Sequence, residues 1–141
     1  MGEDLAKSDN PSKKWIYVLL VISVLVMLIG GVIFLSLRTL NSFMAHDAVQ
    51  VIAYEVSDLY TDNPNTSQED IEELIKWLHD ASVINLKVNN EGKAVDPFGI
   101  PFRVEYEKKP DRSITTVTSA GPDQAFGTED DIIFVCPRLL E

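Results

Sequence analysis

The stretch Ser113-Ile-Thr-Thr-Val-Thr-Ser-Ala-Gly-Pro-Asp-Gln-Ala-Phe-Gly-Thr-Glu-Asp-Asp-Ile-Ile-Phe-Val135 decides how the rest of this chain is read. It predicts two β-strands joined by a long acidic loop. In the first strand Ile114, Thr116 and Thr118 alternate with Thr115, Val117 and Ser119, and the second is the apolar run Ile132-Ile-Phe-Val135. Residues 121–131 between them exceed the roughly 2–5 residues that close an ordinary hairpin, so the loop needs an organiser. Its acids Asp123, Glu129, Asp130 and Asp131 repel one another if they converge. A hard divalent cation turns that repulsion into closure, because Ca²⁺ takes about six to eight oxygen ligands. The competing reading is a solvated acidic turn whose Asp side chains bond local amides. The alternating Asp pattern of an EF-hand is missing. With neither a second Cys nor a nearby His, zinc is disfavoured.

Asp96-Pro-Phe-Gly-Ile-Pro-Phe102, followed by Thr118-Ser-Ala-Gly-Pro-Asp123 and Gly127-Thr-Glu-Asp-Asp-Ile132, resembles the C-terminal domain of the major pseudopilin of type II secretion systems. That family has an Asp-Pro-aromatic-Gly-x-Pro-aromatic segment, a Gly-x-Asp turn and a paired-acid loop that binds calcium. The resemblance implies that the side chains of Asp123, Asp130 and Asp131 are Ca²⁺ ligands, with backbone carbonyls near Ala120 and Thr128 completing the shell. It covers about the last third of the chain in motif and most of it in layout.

The other end of the chain sets the expected location. Residues 15–37 carry no charge and are apolar apart from Tyr17, Ser23, Ser36 and the pair Gly30-Gly31. At about 1.5 Å per residue the run spans the roughly 30 Å hydrocarbon core. It exceeds the apolar core of a cleavable signal peptide, about 7–15 residues, and no small-x-small cleavage site follows, so an uncleaved signal anchor is expected. Trp15 and Tyr17 stand where an interfacial aromatic belt is found. Lys7, Lys13 and Lys14 before the run outnumber Arg38 just after it, which predicts residues 1–14 in the cytoplasm and the part beyond the span on the outer side of the inner membrane.

The chain has 141 residues and a net charge of -10, and the acids and lysines of its first 14 residues cancel. The charge therefore belongs to the outer part, about a hundred residues forming one small domain. An acidic exterior argues against nucleic acid and against electrostatic adhesion to anionic lipid, and suits a cation or a basic protein. Lone Cys136 allows no intrachain disulfide, and burial beside the apolar strand is expected.

Past Arg38 the helix is expected to continue over 38–62. Leu40, Phe43, Met44, Val51, Ile52, Val56 and Leu59 recur at three- and four-residue steps, up to the stop Thr61-Asp-Asn-Pro-Asn65. That stripe packs on the chain's own sheet or on another copy. A domain over 63–141 then opens with a second helix starting at Thr66 or Ser67, and Thr66 with Glu69 fits a capping box. Ile71, Leu74, Ile75 and Leu78 make its core stripe, with Trp77 at the edge. Residues 83–88 read as a short strand or an extended segment before the turn Asn89-Asn-Glu-Gly92, and Asp96-Pro-Phe-Gly99 reads as a further turn. Phe102, Val104 and Tyr106 form one face of a further strand, which returns through Lys108-Lys-Pro-Asp-Arg-Ser113. The predicted class is α+β: a long helix, membrane-spanning in its first half, a short helix, and a small antiparallel sheet with a long calcium loop, pilin-like in layout.

No catalytic constellation emerges. His46 and His79 lack partners at a meaningful spacing, and carboxylate pairs are too numerous for spacing to select one. The pilin-type start departs from the family. Lys13-Lys-Trp-Ile-Tyr-Val-Leu-Leu20 has no Gly at the junction and no Glu within the span, where the family has a peptidase site and an assembly glutamate. The expectation is a non-enzymatic, single-pass anchored subunit with protein partners of a secretion or pilus-type assembly. The alternative is an anchored calcium-binding scaffold or sensor of the envelope.

Overall fold

A computed structural model describes residues 11–139, with side chains from residue 15 onward. Lys7 and the side chains of Lys13 and Lys14, on which the expected orientation rests, lie outside the described residues. The chain forms two compact units, Met1–Leu37 and Arg38–Glu141.

In the first unit the helix α1 (Pro11–Asp62) begins. Every residue from Trp15 to Leu37 is exposed, among them Met27 at 74% and Phe34 at 65%. A helix apolar on all sides has no face to offer water. By length and composition it can cross a membrane.

In the second unit the same helix becomes one-sided. Ala45, Ala48, Val49, Ile52, Ala53 and Val56 are all buried, at the steps of three and one that hold one helical face. The expected stripe was therefore centred differently. Ile52 and Val56 are in the core and Met44, Val51 and Leu59 are half-buried, but Leu40 and Phe43 stay exposed. Three alanines, not counted as apolar anchors in the sequence, lie on this buried face.

The helix α2 (Gln68–Asp80) is capped by Ser67, the later of the two expected starts, and its capping box is Ser67 with Asp70 in place of Thr66 with Glu69. Ser67, extended at φ -88°, ψ 168°, accepts from the Asp70 amide, and the Asp70 carboxylate accepts from the Ser67 amide at 2.7 Å. The Thr66 hydroxyl instead donates to the Asn63 carbonyl at 2.6 Å and closes the turn after α1. These bonds hold the Asp70 carboxyl below its ordinary range. Ile71, Ile75 and Leu78 are buried, Leu74 is half-buried, and Trp77 is 57% exposed.

Two short strands, β1 (Lys87–Val88) and β2 (Ala94–Val95), form a hairpin. A separate antiparallel meander has the order β3 (Arg103–Lys108), β4 (Arg112–Ser119), β5 (Ile132–Leu139). The register aligns Val104, Val117 and Phe134, then Tyr106, Thr115 and Cys136, on one face. That face meets α1: Tyr54 tilts against Phe134, Tyr60 stacks on Tyr106 with ring centroids 3.8 Å apart, and Arg138 pairs with Asp58. Val117 and Cys136 join the core with Ile84, Leu86 and Phe102. β5 runs four residues beyond the predicted apolar run, because β4 offers pairing down to Arg112. Pro137 is tolerated there because β5 is an edge strand.

Burial and, to a smaller degree, the neighbouring Tyr106 push the Tyr60 phenol above its ordinary 10.0. The unfolded chain then ionises first, so this contribution is intact below about pH 10 and is lost as the pH rises through the folded value. Denaturant unfolding measured against pH should show wild type losing stability above about pH 10 more steeply than Tyr60→Phe. Parallel curves would remove Tyr60 from the account.

Candidate acidic loop site

The loop between β4 and β5 is built on two buried polar groups at its base. Asp96 is fully buried. Its Oδ1 accepts from the Phe98 and Ile100 amides at 3.0 and 2.9 Å, and its Oδ2 accepts from the Ser119 hydroxyl at 2.5 Å. One carboxylate thus shapes the Asp96-Pro-Phe-Gly turn and ties it to the end of β4. The Ser119 oxygen in turn accepts from the Gly121 amide at 3.3 Å. Gln124 adds a second tie, donating to the Phe98 carbonyl at 2.8 Å.

Gly121 closes the loop. Its φ is +67°, and a Cβ there would lie 2.0 Å from the Asp130 carbonyl oxygen. The two ends of the loop therefore touch backbone to backbone. Arg103 covers the middle, with its guanidinium carbon 4.1 Å from the centre of the Phe126 ring.

The acids take separate partners. Asp123 Oδ1 accepts from the Ala125 amide at 3.0 Å, in an Asx turn. Asp131 Oδ2 accepts from the Gly127 amide at 2.7 Å. Asp130 Oδ2 accepts from Arg38 Nη2 at 3.2 Å, and Glu129 is exposed. Ala120 is fully buried, while the Thr128 hydroxyl donates to the Ala125 carbonyl at 3.2 Å. Among the described residues no three His, Cys, Asp or Glu side chains stand together as a metal group. The loop nonetheless presents one orphan, since Asp131 Oδ1 is buried without a hydrogen-bond partner. Carboxylates and carbonyls form an all-oxygen set, which is the chemistry a hard cation selects.

Sequence reasoning missed two residues of this site. Asp96 was legible as a turn, and Asp before Pro-x-Gly is an Asx-turn signal, but not as the buried hub beneath the loop. Arg38 was read only for its charge beside the apolar run. Nothing in a sequence pairs residues 38 and 130.

A concavity opens between α2 and the β1–β2 hairpin, lined by Ile75, Trp77, Lys93 and Phe102. The ion pair of Lys93 with Glu72 stands at 3.1 Å among its lining residues.

No protein-family model matches the chain, and no curated protein and no solved structure is significantly similar to it.

Two substitutions test the base of the loop. Gly121→Ala meets backbone at 2.0 Å, whereas Gly99→Ala meets only the strain of φ +98° in open space. The first should lower the melting temperature well beyond the second. Asp96→Ala strands two amides and a hydroxyl and should cost about 3 kcal/mol or more in denaturant unfolding. A loss under about 1 kcal/mol would mean that the hub does not organise the loop.

Proposed function

We propose that this chain is a single-pass, membrane-anchored, non-enzymatic structural subunit with a pseudopilin-like outer unit. It serves a type II secretion or pilus-type assembly from the inner membrane, with its N-terminus in the cytoplasm. The observation that carries the reading is α1 itself, apolar and exposed on every side to Leu37 and amphipathic against a folded α+β unit beyond Arg38. The Asp96-Pro-Phe-Gly motif and the paired acids supply the pseudopilin part of the reading. Protein partners and self-association through the long helix belong to it, and nucleic acid does not.

Ca²⁺ is the proposed organiser of loop 121–131. Asp131 supports this through its orphan Oδ1, and Asp130 has a second oxygen besides the one that meets Arg38. Asp123 and the carbonyls of Ala120 and Thr128 complete the proposed donor set. The ion would supply charge neutralisation and loop order, and no chemistry.

The second reading, an anchored binding or sensing module, has the groove beside Trp77 in its favour. Partners crosslinked in intact membranes separate the two: secretion-system proteins support the first reading, and their absence supports the second.

Alkaline extraction of membranes should leave the full chain in the pellet, and release into the supernatant would overturn the anchor. With the full chain in detergent, millimolar Ca²⁺ should raise the melting temperature by roughly 5–10 °C over chelator, for an affinity near 10⁻⁴ M. Mg²⁺ should not reproduce the rise, and Asp123→Ala and Asp131→Asn should abolish it. An equal rise with Mg²⁺, or equal losses in chelator, would return the loop to an ordinary acidic turn.

A further inference from the structure

We infer that the membrane-proximal edge of the outer unit is itself a lipid-contacting surface. Leu40, Phe43 and loop 121–131 rest on a zwitterionic headgroup layer, and the Arg38–Asp130 pair holds the loop down. The inference deepens the anchored reading and rests on residues 15–37 being a span.

Distance along the helix is the first argument. A bilayer of about 30 Å core and 40–45 Å overall leaves a headgroup layer of roughly 5–8 Å on each side. At about 1.5 Å per residue, Leu40 and Phe43 lie about 5 and 9 Å beyond Leu37. Arg38 and Leu40 fall in that layer and Phe43 just beyond it, within reach of its side chain.

Exposure is the second argument. The outer unit buries the alanines, Val49, Ile52 and Val56 of α1, yet leaves Leu40 at 53% and Phe43 at 64% exposed. One turn further along the side of Phe43 stands exposed Asp47, so the apolar exposed face ends where the headgroup layer ends. A large apolar residue at that depth fits lipid on one side and water on the other.

The third argument is the ion pair. Arg38 Nη2 reaches Asp130 Oδ2 at 3.2 Å across 92 residues of sequence, and both side chains keep access to the surroundings, 51% and 37%. It brings the loop to the first charged position after the apolar run. At a lipid surface such a pair is screened less than in bulk water. The acidity of the loop then selects the lipid: ammonium groups of zwitterionic headgroups attract exposed Glu129, whereas anionic lipid repels it.

The test uses the full chain, with Cys136→Ala, in phosphatidylcholine vesicles carrying a headgroup nitroxide. An environment-sensitive fluorophore is placed at Phe43→Cys, Glu129→Cys or Asp111→Cys, the last in the β3–β4 hairpin near the Tyr60–Tyr106 stack. Quenching is expected at 43 and 129 and not at 111. Asp130→Asn should abolish quenching at 129 and leave 43 unchanged, and anionic phosphatidylglycerol vesicles should do the same. Quenching at 43 without 129 in the wild-type loop overturns the seating and leaves the span intact. Quenching at neither overturns the span reading and the seating with it. Self-quenching between labels at 43, in place of lipid quenching, seats a second copy on Leu40 and Phe43 and overturns the inference.

Discussion

One helix has to satisfy two environments, and the rest of the structure follows from how it does so. Up to Leu37, α1 exposes apolar side chains in every direction; from Ala45 on it hides one face and wets the other. The hidden face carries alanines at 45, 48 and 53, while Val49, Ile52 and Val56 supply most of its buried side-chain area. The meander and α2 pack around this face. Two tyrosines and one ion pair then fix the register of the sheet against it, Tyr54 on Phe134, Tyr60 on Tyr106 and Asp58 with Arg138.

The acidic loop depends on the same frame by a different route. Its base is set by Asp96, which no solvent reaches, and by the close approach of Gly121 to Asp130. These are constraints at the level of the backbone, and the loop carboxylates take separate partners around them. Arg38 joins that loop to the start of the amphipathic half of α1. The unit is therefore tied along its length, at Arg38, at Tyr54 and at Tyr60.

Local pattern made most of the architecture legible. The charge-free run, the stop around Pro64, the stripe of Ile71, Ile75 and Leu78, the turns at Gly92 and Gly99 and the alternation in β3 and β4 all rest on neighbours within a few residues. Where two local solutions competed, the reading slipped. Ser67 took the cap from Thr66 because the Thr66 hydroxyl was already bonded to Asn63, and β5 outran its apolar run because its partner was longer. What was not legible was long-range. The burial of Asp96 under Ser119, the pairing of Arg38 with Asp130 and the exposure of Leu40 and Phe43 depend on which segments meet in space. The acids of the loop could be counted in the sequence, but their separate partners could not.

Pro137 has a consequence at the scale of many copies. A three-stranded meander leaves two open edges, each a row of backbone groups able to template another chain. Along β3 the exposed positions are Arg103, Glu105, Glu107 and Lys108, so that edge is guarded by charge. β5 exposes Ile133, Val135 and Leu139 instead, and its guard is an imino acid with no N–H to donate, followed at once by Arg138. Copies held close together collide more often. A proline in the outermost strand then interrupts uncontrolled strand-by-strand aggregation.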